Sequence, residues 1–288
     1  MPFERNFSIN GVDIAVWEWP GADPPVMLCH ATGFHSRCWD QVIAHLPGRH
    51  CYALDFRGHG HSTKLPPPYP WRNFGQDLAE LAVALNLSGA IGVGHSMGGH
   101  AVTLAAALRP DAFSALLLID PVIRSRGTYN GPWTEAQFAA KRRNQWSSAL
   151  EMFERFKDRP PFLEWDRSVL RDYCEYGLLA EGDHFVLACP PQVEAAIYEN
   201  SSAPASDIYP EIEKIRIPVH VVRAGKTMDP ASFMGQSPTA PELASRFAKA
   251  TDLLLADQSH FIPMEAPALT ANLVKEVTVT SFPALMKE

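Results

Sequence analysis

Ala90-Ile91-Gly92-Val93-Gly94-His95-Ser96-Met97-Gly98-Gly99 decides the fold. A short apolar run ends in Gly-x-Ser-x-Gly and passes directly into an Ala-rich stretch, Ala101 to Leu108, closed by Pro110. The pattern predicts a strand, a sharp turn and a helix, with one serine at the apex. Such a turn holds Ser96 in a strained backbone conformation, and small residues at 94 and 98 avoid clashes with the neighbouring strand and helix. The amide of Met97 then opens a helix, where N–H groups lack intrahelical partners. The pentapeptide alone arises by chance in roughly one chain in ten of this length, so its flanks decide what it means.

Upstream, Phe7–Ile9 and Val12–Trp19 read as two strands joined at Asn10-Gly11. Val26–Cys29 is a short, wholly apolar run, as expected of a strand buried on both faces, and Cys51–Asp55 reads as another buried strand. A helical stretch from about residue 36 to 46 separates them. Residues 74–86 place Leu78, Leu81, Ala82 and Leu85 on one helical face. Ala115–Ile119 is one more buried strand, ending at Asp120-Pro121. Strands alternating with helices predict an α/β fold, a mostly parallel sheet flanked by helices. The alternation breaks between Pro121 and Glu213, where helix-like segments (about 134–157, about 167–177, and one after Pro190-Pro191) replace short buried strands. Val219–Arg223 and Thr251–Ala256 resume it. Residues 1–120 and 214–288 are therefore expected to form a core, with 121–213 inserted as a helical cap.

Composition bounds the function. The 288 residues are 46% hydrophobic and 20% charged, with a formal net charge of −7, so a sizeable core is expected and a nucleic-acid surface is not. The basic trio Lys141-Arg142-Arg143 reads as a solvated helix face. Five cysteines at irregular spacing read as reduced, buried thiols of a cytoplasmic protein. There is no apolar leader and no run of 18 apolar residues, so neither secretion nor a membrane partner is expected. Gly-x-Gly-x-x-Gly and phosphate-loop motifs are absent, and no cofactor is expected.

Four motifs, in order and in context, support a resemblance. They are His30-Ala31-Thr32-Gly33-Phe34 after the third strand, Asp55-x-Arg57-Gly58-His59-Gly60-x-Ser62 after the fourth, the Ser96 elbow, and His260 following Leu253-Leu254-Leu255. Over most of its length the chain resembles the α/β-hydrolase superfamily with a helical cap. The resemblance implies a serine nucleophile, an acid and a histidine in that chain order. Ser96 is the nucleophile and His260, the only histidine beyond position 220, is the base. The acid is expected in the loop Ala224–Pro230, where Asp229 fits, with Asp120, one strand earlier, as the rival that some relatives use. The Met97 and Thr32 amides are the expected oxyanion donors, although the usual His-Gly is here His30-Ala31, and His30 is expected to brace this loop. His59-x-His61 invites a metal reading, but the family's structural loop, with Arg57 paired to Asp55, is the expectation, and no metal is assigned. Cap aromatics (Trp133, Phe138, Trp146, Phe153, Phe156, Phe162, Trp165, Tyr173 and Tyr176) are expected to build the cap's own core and, in part, a roof over the serine.

These residues imply a cofactor-independent serine hydrolase cleaving small or medium apolar carboxylic esters, with an ester or lactone as small-molecule partner. A serine at the elbow argues against relatives that need a carboxylate nucleophile there. Lactone hydrolysis, carbon–carbon bond hydrolysis, a perhydrolase side activity and a ligand receptor on the same scaffold are the alternatives.

Overall fold

The computed structural model describes residues 2–133, 136–227 and 235–281. An eight-stranded sheet forms its centre, built from β1 (Phe3–Ile9), β2 (Val12–Trp19), β3 (Ala22–Cys29), β4 (Arg49–Leu54), β5 (Ala90–His95), β6 (Phe113–Ile119), and, after a long insertion, two late strands, Val219–Ala224 and Ala250–Leu255. β1 and β2 pair antiparallel through the Asn10-Gly11 turn, and β2 pairs antiparallel with β4. Every other pairing is parallel, in the order β4, β3, β5, β6 and then the two late strands.

Successive side chains of a strand point to opposite faces, and the two faces of this sheet are separately apolar. Val26, Leu28, Ile91, Val93, Leu117 and Ile119 lie on one face, under Trp39, Val42 of α1 (Asp40–Ala44) and Val274. Met27, Cys29, Leu116 and Leu118 lie on the other, under α2 (Trp71–Ala84) and α3 (Met97–Leu108). β5 is buried along its whole length, which places the carboxyl end of the central strand, and so Ser96, in the middle of the sheet's edge.

The insertion leaves the sheet after β6 and returns at the next strand it pairs with. It holds α4 (Gln137–Ala140), β7 (Gln145–Trp146), α5 (Ala149–Phe156), α6 (Arg167–Tyr176), β8 (Leu178–Glu181), β9 (His184–Leu187), α7 (Pro191–Glu199) and α8 (Tyr209–Ile212). The late core strands are then β10 (Val219–Ala224) and β11 (Ala250–Leu255), followed by α9 (Ile262–Glu265) and α10 (Pro267–Ser281). The insertion is less helical than its pattern predicts, because β7, β9 and β8 form a small antiparallel sheet. Its strands are at most four residues long and half-exposed, so they leave no buried run to recognise. The long helix expected over 134–157 is likewise divided. Ser148 caps α5 by accepting from the Glu151 amide, while the Glu151 carboxylate accepts from the Ser147 amide, so a new helix starts there.

The insertion has its own apolar cluster, with Trp146, Met152, Trp165, Val169, Leu170 and Tyr173, and this cluster includes Ala31, Phe34, Cys38, Phe261 and Met264 from the core. The insertion therefore sits on the loops that follow β3 and β11. All five cysteines are free and buried.

Candidate active site

Ser96 has φ 57° and ψ −118°, a left-handed conformation that costs a non-glycine residue energy. The surroundings enforce it. Its N–H donates to the Ile119 carbonyl at 3.1 Å, and its carbonyl accepts from the Val122 amide at 3.0 Å. Behind it, α3 passes so close to β3 that a Cβ on Gly98 would collide with the Cys29 carbonyl. Strand, turn and helix thus hold Oγ at the sheet edge, with Met97 as the first residue of α3.

His260 lies past β11, buried to 2% exposure. Its Nε2 is 3.0 Å from Ser96 Oγ, and its Nδ1 is 2.6 Å from Asp120 Oδ2. A carboxylate only accepts, so Nδ1 carries the proton and Nε2 offers its lone pair to the serine hydroxyl. Asp120 is fully buried at the end of β6, with φ 42°. Its other oxygen accepts from the Ala224 amide at 3.0 Å, the Ser237 hydroxyl at 2.5 Å and the Thr239 hydroxyl at 3.2 Å. His95 adds a second tie, donating from Nε2 to the His260 carbonyl at 2.8 Å. Burial pushes its imidazole down to about 3, so it is a neutral strut. The acid that meets His260 is therefore Asp120, the rival position of the sequence reading, and Asp229 lies outside the described residues.

The loop after β3 crosses on the other side of the serine. Thr32 borders the same cavity as Ser96, and its hydroxyl lies 3.4 Å from Met97 Sδ. The positive φ that the loop requires falls on Gly33, at 80°, so Ala31 is no obstacle. Two neutral histidines hold the loop. His30 Nε2 accepts from the Phe56 amide at 3.1 Å, with Nδ1 2.7 Å from the Ala31 carbonyl. His59 Nε2 accepts from the Gly33 amide at 3.1 Å, with Nδ1 3.1 Å from the Arg57 carbonyl. Asp55 adds a third tie by accepting from the Ser36 and His61 amides at 2.7 and 2.9 Å. Arg57 consequently does not pair with Asp55. It donates to Asp77 on α2 at 2.5 and 2.7 Å, because Asp55 is already occupied by backbone amides. His59 and His61 also part ways, since His61 turns outward to Glu4, 3.1 Å away.

Two cavities flank this centre. A narrow one, with room for about one water molecule (about 10 Å³), is bordered by Thr32, Ser96, His260, Trp71, Val122 and Tyr198 among others. A wider one of about 160 Å³ lies on the far side of Thr32 and Tyr198, walled by Phe34, Phe138, Phe162, Trp165, Tyr173 and Phe261. Of the aromatics expected over the serine, Phe138, Phe162, Trp165 and Tyr173 face this space, while Trp146 is buried in the insertion's own core. Arg142 is not a solvated residue of a basic helix face. It follows α4, donates to Glu194 and to the Tyr173 hydroxyl (2.8 Å), and borders the wide cavity. The sequence reading missed Tyr198 and Glu194. Their spacing of four on α7 places both on one helical face, and that spacing is a signal the sequence does carry.

Residues 26–273 match the model of the alpha/beta hydrolase family. The chain belongs to that family. Among its relatives, Lipase LipV of Mycobacterium tuberculosis is 34% identical over 121 residues, covering 41% of this chain and 45% of that protein. The matched segment thus spans less than half of that relative. The 2-(acetamidomethylene)succinate hydrolase of Mesorhizobium japonicum is 26% identical over 282 residues, 94% of this chain and 93% of that one. The solved enol-lactonase of Burkholderia xenovorans superposes with a TM-score of 0.70 at 22% identity, covering 96% of this chain and 100% of the other, a likeness of fold.

Proposed function

We propose that this alpha/beta hydrolase is a serine hydrolase cleaving carboxylic esters of small to medium apolar acyl groups through an acyl-enzyme. The observation that carries the reading is the unbroken relay from Asp120 through His260 to Ser96, at 2.6 and 3.0 Å, with the serine on a strained elbow. A serine hydroxyl is a weak nucleophile until a positioned base takes its proton. In this reading Ser96 Oγ attacks the ester carbonyl as its proton passes to His260 Nε2, and Asp120 holds the ring and stabilises the imidazolium. The Met97 and Thr32 amides receive the oxyanion; losing one such donor typically costs on the order of 10²–10³ in turnover. Protonated His260 releases the alcohol, and water then cleaves the acyl-enzyme by the same route. The acid role goes to Asp120 rather than Asp229. Residues 121–213 act as the cap, since their apolar cluster is continuous with the loops bearing Thr32 and His260. The name of the relative LipV, a lipase, agrees with ester chemistry.

The test is multiple turnover on p-nitrophenyl esters from acetate to palmitate. Each methylene buried contributes about 0.8 kcal/mol, so kcat/KM is expected to rise by up to about fourfold per added carbon while the chain fits, then to fall. Ser96→Ala is expected to fold and to lose turnover, and an organophosphonate is expected to label Ser96. Full activity in the alanine variant contradicts the mechanism, and a flat profile up to palmitate contradicts a site limited to small and medium acyl groups.

A further inference from the structure

The Arg142–Glu194 pair stands on the wall of an otherwise aromatic cavity. Glu194 is 6% exposed at its side chain and Arg142 24%. The pair lies directly on the backbone of Gly33, where an added Cβ would meet Glu194 Oε1 at 2.7 Å and Arg142 Nη1 at 3.5 Å. The neighbouring residue, Thr32, borders both this cavity and the one at Ser96, and so does Tyr198. Thr32 and Tyr198, whose carbonyl and hydroxyl stand 3.5 Å apart, divide this space from the cavity at Ser96, and a substituent on a carbonyl at Ser96 reaches the aromatic cavity past that contact. The cavity measures about 160 Å³, and an apolar cavity of about 150 Å³ accommodates one benzene ring.

An ion pair in such a place is a poor stabiliser, because desolvation offsets most of its attraction and apolar substitutes of similar volume often do as well. Its effect on a ligand is more definite. A guanidinium has five N–H donors in a planar fork. Glu194 and the Tyr173 hydroxyl take one donor from each terminal nitrogen among the described residues, which leaves capacity for an acceptor entering the cavity. Glu194 meanwhile cancels the positive charge. A neutral carbonyl or amide oxygen can accept from Arg142 at no net charge, whereas a carboxylate would place a second anion beside the largely buried Glu194.

We propose that this cavity is a subsite for an uncharged, single-ring group carrying one hydrogen-bond acceptor, and that Glu194, by neutralising Arg142, excludes acidic substrates. The assignment rests on the ester-hydrolase reading and narrows its substrate class.

The experiment compares four p-nitrophenyl esters: acetate, benzoate, the ester of 4-carbamoylbenzoic acid, and the ester of 4-carboxybenzoic acid. The last two differ in one isosteric group, amide against carboxylate. For the unmodified protein, kcat/KM is expected to favour the amide by at least tenfold. Glu194→Gln leaves Arg142 charged and uncompensated, and is expected to shift that ratio toward the carboxylate by tenfold or more. A ratio within one variant is independent of how much of it is folded. The unmodified protein is also expected to favour 4-carbamoylbenzoate over plain benzoate, and the double variant Arg142→Met, Glu194→Leu, which removes both charges, is expected to lose that preference. If acetate is turned over but amide and carboxylate are cleaved alike by the unmodified protein, the subsite assignment is overturned while ester hydrolysis stands. If Glu194→Gln folds and its ratio does not move, the role given to Glu194 is overturned. If no ester is turned over, the hydrolase reading falls first and the subsite with it.

Discussion

Asp120 makes the site a relay rather than three nearby side chains. It sits at a positive φ after β6, where its two oxygens are used differently. Among the described residues Oδ2 meets His260, while Oδ1 is held by the Ala224 amide and the Ser237 and Thr239 hydroxyls. Those donors fix the plane in which the carboxylate meets the ring. Ser237→Ala removes one charge-assisted hydrogen bond, expected to cost about 1.5–3 kcal/mol of stability and to lower kcat by less than tenfold. Urea unfolding together with kcat checks both; an unchanged unfolding midpoint means that Ser237 does not support Asp120. At this scale the sequence was informative about Ser96 and His260, because a Gly-flanked serine between strand and helix and a lone histidine after the last strand seldom occur together by chance. It was ambiguous about the acid. Two carboxylates follow consecutive core strands in the sequence, and only the folded arrangement shows the one after β6 beside His260 Nδ1.

Elements carry the geometry outward. The loop bearing Thr32 is fixed by side chains from the next strand–loop unit, His59 through the Gly33 amide and Asp55 through the Ser36 amide. That unit is in turn anchored to α2 by the Arg57–Asp77 pair, to which Asn10 adds a hydrogen bond at 3.0 Å. Asp77→Ala leaves a buried guanidinium uncompensated, with an expected cost of about 3–5 kcal/mol. The denaturation midpoint measures it, and a loss below about 1 kcal/mol would mean that the anchor is dispensable. Core strands were legible because burial on both faces writes them as short apolar runs, as in Val26–Cys29 and Ala115–Ile119. β8 and β9 were not, since half-exposed four-residue strands alternate too briefly to be told from helix ends. Arg142 misled for a related reason. Charge runs are usually solvated, and its burial depends on Glu194, 52 residues later.

The folded molecule buries a set of neutral imidazoles. Burial pushes His35 and His100 down to about 4 and His95 to about 3, and it lowers His30 and His59 in the same direction. The unfolded chain titrates these rings near 6.5. Between that pH and about 4 it therefore binds more protons than the folded protein, so stability is full above 6.5 and falls as the pH drops. At pH 5 each of His95 and His100 is expected to remove about 2 kcal/mol of stability, a large part of the net stability of an ordinary domain. Denaturant midpoints are expected to fall steeply from pH 7 to pH 5. Midpoints that stay level over that range would mean that the rings are solvated or charged in the folded protein.

The relay itself is tested most directly by exchanging single carboxylates for amides and measuring kcat on p-nitrophenyl acetate at pH 7.5. Asp120→Asn keeps the size of the side chain but presents its NH₂ or a weaker acceptor to His260 Nδ1, which destabilises the productive tautomer and the imidazolium. Serine triads lose roughly 10⁴ in turnover from this change. A fall of that order for Asp120→Asn, with Asp229→Asn within a few-fold of the unmodified enzyme and Ser96→Ala inactive, is the predicted result. An active Asp120→Asn beside an inactive Asp229→Asn would contradict the assignment of the acid, and with it the relay read from the 2.6 Å contact.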